Sequence, residues 1–230
     1  MGKTYWEELK RLIARDNSLI MLGEKHGAEV NPRIIDKFVK ELKIDDIFIE
    51  LNSRYEKTVD LLKYGQFEKF SKELGLSQWI LPSGLLGMSH LKIFQKFLRA
   101  DIKIHPVKVE SENWNTAEIK TSKKIEIILK KDKTRLGLLV MGNLHARKKS
   151  FRLEKKLYKP VGFLLAENII SVQIRYAAGA IYNFRKIGLK DAGAARMVAQ
   201  GEIGLIPSKS IYFDYDYIVT KTNPLKLLNG

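Results

Sequence analysis

The chain has 230 residues, 45% of them apolar, and a net charge of +15 from 41 Lys and Arg against 26 Asp and Glu. That length and apolar content fit a single domain, 1–230, able to bury a sizeable core. The absence of cysteine excludes disulfide frameworks, thiolate metal sites, iron–sulfur ligation and cysteine nucleophiles. The segment Met1 to Asp16 is charged and amphipathic and lacks the apolar core and cleavage site of a secretory signal. No stretch approaches the ~20 apolar residues that span a bilayer, so a soluble, cytoplasmic protein is expected. The positive field attracts polyanions, but Lys scattered among Ile, Glu and Leu also arises from bulk compositional bias.

In chain order, Trp6, Leu9, Leu12 and Ile13 give helical spacing over residues 4–15. An apolar strand near 18–22 follows, and it stops at Gly23-Glu24-Lys25-His26-Gly27. Asn31-Pro32 offers an N-cap with proline at the first helical position, and Ile34, Ile35, Phe38, Val39 and Leu42 form that helix's buried face. Ile47 to Leu51 reads as a second strand, with Glu50 near its end. One or two helices are expected over 54–74. An apolar, glycine-rich connection with Trp79, Pro82, Gly84 and Gly87 occupies 75–88, either a lid or a packed crossover. A helix carrying Leu91, Phe94, Phe97 and Leu98 leads to a strand at 102–107, whose Pro106 places it at a sheet edge or strand end. A Lys-rich helix covers 114–131. A fourth strand at 136–141 ends in Gly142-Asn143-Leu144-His145-Ala146. A basic helix is expected at 149–158, a strand at 169–176, a strand continuation or turn at 177–183, a short helix at 191–200 and a final strand at 211–220.

This alternation implies an α/β fold, a mostly parallel sheet with helices on both faces. Right-handed crossovers put every strand-to-helix turn on one edge of the sheet, where open α/β sheets bind ligands. The polar residues that end strands are Glu24, His26, Glu50, Glu110 and His145, and their convergence into one cleft follows from the topology. Each turn taken alone also reads as an ordinary exposed strand end. Two glycine-flanked histidines, each after a buried strand, favour a site. His90 is expected to be solvated or capping, His105 packed, and Asp214 and Asp216 on a solvated strand face. The Gly-x-Ser-x-Gly, P-loop and Gly-x-Gly-x-x-Gly patterns are missing, which speaks against a serine hydrolase, an NTPase and a Rossmann dehydrogenase. No aromatic–basic recognition module accompanies the charge, so nucleic acid is not expected as a partner.

"LIMLGEKHG" followed by a helix and "IFIEL", and later "LLVMGNLHA" and "SVQIRYAAGAIYN", resemble the erythromycin esterase/ChaN/TraB–Tiki superfamily. The resemblance spans roughly 18–220 and is dense at the two histidine turns. It implies a shared α/β fold with both histidines and the acidic residues facing one cleft. Glu24, His26, Glu50 and His145 carry over as catalytic candidates. Arg33 is a looser match and, with Asn143, a ligand-binding candidate. Activities in this superfamily include lactone hydrolysis, metal-dependent peptidase action and haem binding.

The expected function is therefore hydrolysis of an ester, lactone or amide in a small-molecule or peptide substrate, and the net charge suits an anionic one. His26 or Glu24 would accept a proton from water and His145 would donate to the oxyanion. In a metal-dependent version, Zn or Mn would be held by His26, His145, Glu24 and Glu50. The alternative is a binding protein for haem or another anionic small molecule.

Overall fold

The computed structural model describes residues 5–16, 19–75, 86–131 and 135–225. The expected glycine-rich connection, including Trp79, Pro82 and Gly84, lies mostly outside the described residues.

The first half alternates as its periodicity predicts: α1 (Trp6–Asp16), β1 (Leu19–Glu24), α2 (Asn31–Leu42), β2 (Asp46–Asn52), α3 (Asp60–Lys63), α4 (Phe67–Glu73), α5 (Met88–Arg99), β3 (Lys103–Lys108), α6 (Trp114–Lys131) and β4 (Gly137–Gly142). The second half holds β5 (Phe151–Leu153), β6 (Lys156–Tyr158), α7 (Val161–Leu164), β7 (Ile169–Asn183), β8 (Arg185–Lys190), α8 (Ala192–Ala199), β9 (Gly204–Pro207) and β10 (Tyr215–Thr222). The main sheet has eight strands, ordered β3-β2-β4-β1-β7-β10-β9, with β8 paired to β7. The six strands from β3 to β10 in that order pair in parallel, while β9 and β8 run antiparallel to their neighbours. Pro106 sits on β3, which pairs only with β2, as a residue without a ladder N–H requires.

Alternation along the central strands divides the core between the two faces. Ile20 and Leu22 of β1, Ile47 and Ile49 of β2 and Leu138 and Val140 of β4 pack with Ile35, Phe38 and Phe94. Leu19, Met21, Phe48, Leu139 and Met141 pack with Ile125 and Val161 on the other side. By the same alternation Glu24 continues the face of Ile20 and Leu22, and Glu50 continues the face of Phe48.

Three local expectations are corrected. The basic segment at 149–158 is the β5–β6 hairpin, paired Phe151↔Tyr158 to Leu153↔Lys156. Its two turn residues, Glu154 and Lys155, sit at φ 48 and 66, the left-handed pair that a two-residue hairpin turn needs. Asn31 is the first residue of α2 and not its cap. Its side chain turns back to donate to the Lys25 carbonyl (3.0 Å) and to accept from the Tyr176 hydroxyl. Asp214 and Asp216 do not share a solvated strand face: Asp214 is partly exposed just before β10, and Asp216 is on β10 and faces inward. Asp216 is buried and takes bonds from Arg175 (3.1 Å) and Ser208 (2.8 Å), while Asp214 pairs with Lys148 at 3.0 Å. Of the two readings offered for His90, solvated or capping, the capping one holds: His90 is buried at the third position of α5, and its Nδ1 accepts the Gly87 N–H at 3.3 Å. His105 is packed as expected, stacked on Phe48 and 2.9 Å from Asp46.

Candidate functional site

The parallel strands β1, β4 and β2 end side by side, with Glu24 in register with Gly142. Gly142 is where β4 must lack a side chain. A Cβ there would lie 2.9 Å from His26 Nε2 and 3.5 Å from Glu50 Oε2. Its backbone N–H instead donates to Glu50 Oε2 at 2.8 Å. Gly23 is similarly confined, since a Cβ would lie 2.8 Å from both Ala146 Cβ and Asn143 Oδ1. The turn after β4 is pinned to the end of β1 by the bond from the Asn143 N–H to the Glu24 carbonyl, 2.9 Å.

Across these strand ends runs an alternating series of carboxylates and imidazoles. Glu24 Oε1 is 3.1 Å from His26 Nδ1, and His26 Nε2 is 3.5 Å from Glu50 Oε2. Glu50 Oε1 is 3.4 Å from His145 Nε2, and His145 Nδ1 is 2.7 Å from Glu118 Oε1. Glu118 is in turn fixed by the Val161 N–H at 2.7 Å. Lys108 donates to Glu50 Oε1 at 3.1 Å, and the indole of Trp114 stacks on the His145 ring at 5.3 Å. Glu24, Glu50 and Glu118 are all buried. Buried carboxylates persist where charge partners and N–H donors meet them.

The electrostatics follow from this sandwiching. Burial opposes a charge on His26, but the hydrogen bond to Glu24 and the close Glu50 carboxylate overcome it and raise its pKa to about 10. His145 is raised too: burial opposes its charge, and the Glu50 carboxylate and the Glu118 bond outweigh it. Burial alone would push Glu50 up, yet the charges of His145, His26 and Lys108, with the His26 bond, hold it well below the usual carboxylate range. Glu24 is shifted the other way, upward, chiefly by burial. His26 is therefore cationic near neutrality, the charged form of His145 is favoured by its carboxylate neighbours, and Glu50 is an anion between them.

A cleft of about 320 Å³ opens beside this series, lined among others by Glu50, Lys108, Glu110, Glu112, Trp114, Glu118 and His145. It holds four carboxylates against one lysine and one histidine. Its character is acidic although the chain as a whole is strongly basic.

Of the residues proposed from sequence, Glu24, His26, Glu50 and His145 are brought together. Arg33 is not with them: it is exposed on α2, beside Glu29, Lys221, Thr222 and Asn223. Asn143 joins the two turns through its backbone, and its side chain is outside the cleft lining. Glu118, Lys108 and Trp114 were missed. Glu118 had a readable signal, because it falls at helical spacing with Trp114, Thr121, Ser122 and Ile125, on the buried side of α6. Among the described residues, no group of three His, Asp or Glu side chains is arranged to hold a metal ion. Each imidazole Nδ1 faces a glutamate, and each Nε2 faces a different oxygen of Glu50. The four residues expected as metal ligands thus face one another instead of a common point.

No family profile and no curated protein matches the chain. Solved structures do. A succinoglycan biosynthesis protein is 10% identical at a TM-score of 0.65, with 100% of this chain and 94% of that one covered. A protein from Bacillus cereus is 12% identical at 0.55, covering 98% and 94%. The type III effector HopBA1 is 12% identical at 0.55, covering 93% and 92%. ChaN of Campylobacter jejuni, solved with cofacial haem, is 14% identical at 0.40 over 76% and 88%. At these identities the first three share the fold, and the last carries no argument. Among the described residues no helix is long and apolar enough to cross a membrane.

Proposed function

We propose that the chain is a hydrolase of an ester, lactone or amide, and that the Glu24–His26–Glu50–His145–Glu118 series moves the protons. Membership of the erythromycin esterase/ChaN/TraB–Tiki superfamily is part of the same proposal, supported by the two histidine turns. The observation that carries it is the alternation of carboxylates and imidazoles at the strand ends, with His145 facing the cleft.

The electrostatics reassign roles within this series. His26 is protonated at neutral pH, and the carboxylates around His145 raise its pKa in the same direction, so both rings are assigned as acids and not as the base. His145 Nε2 stands 3.4 Å from Glu50, longer than a good hydrogen bond, so its proton is available to a substrate oxygen in the cleft. Glu118 behind it fixes the ring and the charge. When His145 donates to the leaving oxygen or nitrogen, Glu50 loses the charge that contributes most to its low pKa. Glu50 then becomes a better base toward the attacking water. Acid and base action are coupled through one contact, and water supplies the hydroxyl on the acyl carbon and the proton that returns to the series.

The acidic cleft favours a neutral or cationic substrate and opposes an anionic one, including the propionates of haem. The test is a panel of p-nitrophenyl esters, lactones and short peptides. Any activity found should fall at least ~10²-fold in His145→Gln and in Glu50→Gln, with the circular dichroism unchanged. Full turnover in both folded variants would refute the mechanism.

A further inference from the structure

Behind Glu24 lies a small cavity that the proton series does not use. It is lined by Glu24, Glu50 and His90, with Ile35, Ile49 and Phe94 among its apolar walls, and the space open to the centre of a water-sized sphere is about 10 Å³. That is about the minimum for one water molecule. Two buried polar atoms of its lining residues have no hydrogen-bond partner among the described residues: Glu24 Oε2 and His90 Nε2. Their chemistry is complementary. His90 Nδ1 accepts the Gly87 N–H at 3.3 Å, so the neutral ring carries its proton on Nε2. Burial, reinforced by the charge of His26, pushes the His90 pKa down to about 3, so the ring is neutral and Nε2 is a donor. Glu24 Oε2 is an acceptor. Apolar cavities stay dry, whereas a cavity with a donor and an acceptor on its walls holds water.

We propose that this cavity holds one buried water, which accepts from His90 Nε2–H and donates to Glu24 Oε2, and that His90 is thereby a positioning residue for the Glu24–His26 pair. Glu24 would then be held at both oxygens, by His26 at Oε1 and by the water at Oε2. The carboxylate plane that orients the His26 ring is fixed from inside the core by α5. The role assigned to His90 rests on the reading of Glu24 and His26 as part of the functional site, but the water itself does not.

A high-resolution crystal structure of the wild-type chain tests the placement. Ordered density within ~3.2 Å of both His90 Nε2 and Glu24 Oε2 is expected. A dry cavity, or direct contact between the two side chains, overturns the proposal. Nitrogen-15 NMR of the His26 ring at pH 7 tests the positioning role. The Nδ1–H signal should move in His90→Phe, which removes the donor, and stay near its wild-type place in His90→Gln, which returns an amide N–H. An unmoved signal in folded His90→Phe overturns the role, and if that variant does not fold, the wild-type map still decides the placement. Neither readout uses activity. A chain that hydrolyses nothing in the panel yet shows the water refutes the proposed hydrolase alone.

Discussion

At the scale of the residue, four glutamates of one chemical type take different roles because of their neighbours. Glu50 lies between two imidazoles and a lysine, and is held as an anion. Glu24 has one imidazole and a buried oxygen without a partner among the described residues, and burial shifts its pKa upward. Glu118 joins His145 to the N-terminus of α7, while Glu110 lines the open cleft. Replacing Glu118 with Gln keeps an acceptor for the Val161 N–H but removes the charge behind His145. The raised pKa of His145 should then fall toward the ordinary ~6.5, seen as an earlier loss of the imidazolium in an NMR titration. An unchanged titration would show that Glu118 has no electrostatic role. Glu24, His26, Glu50 and His145 were legible in the sequence because polar residues that stop an apolar strand beside glycine contradict its pattern. Glu118 and Lys108 were harder to see. A charge on a Lys-rich helix, or at the end of an edge strand, looks solvated until the packing partner is known.

At the scale of the element, the turn after β1 is held in place by the long strand β7. Tyr182 donates its N–H to the Gly27 carbonyl at 2.9 Å, and Leu225 donates to the same oxygen at 2.7 Å. Gly27 sits at φ +82, and a Cβ there would fall 1.6 Å from the Tyr182 carbonyl oxygen. Gly27→Ala therefore both forces a left-handed alanine and drives β7 away from the turn. A loss of about 2 kcal/mol or more is expected, measured as a lower urea midpoint, and an unchanged midpoint would contradict the close approach. The strands and helices with strong periodicity, such as β1, α2, β2 and β4, were readable from sequence because burial on both faces leaves continuous apolar runs. The β5–β6 hairpin was not. Its turn is Glu154-Lys155, without the asparagine or glycine that normally marks a left-handed pair, and its basic residues resemble a helix face. β8 and β9 escaped for a related reason: they are short antiparallel additions whose pairing is set by β7 and β10 and not by a pattern of their own.

At the scale of the whole molecule, a surface of net positive charge encloses an acidic cleft, so bulk charge is a poor guide to what the site takes. The buried pairs also make stability depend on pH from two sides. His26 has its pKa raised from 6.5 to about 10. Its contribution is fully present below the unfolded value and is lost as pH rises from 6.5 through about 10. Glu50 is lowered from 4.5. Its contribution is present above that value and is lost as pH falls below it. Stability relative to His26→Gln should therefore be greatest between these limits and shrink in urea melts as pH is raised toward 10. A difference constant from pH 6 to 10 would contradict the pairing. The central claim, an alternating series in which carboxylates raise the pKa of both imidazoles around an anionic Glu50, is most directly tested by titrating all four histidines by NMR. The account predicts that His26 stays an imidazolium until about pH 10 and that His90 stays neutral down to about pH 3. A His26 that loses its proton near pH 6.5 would contradict it.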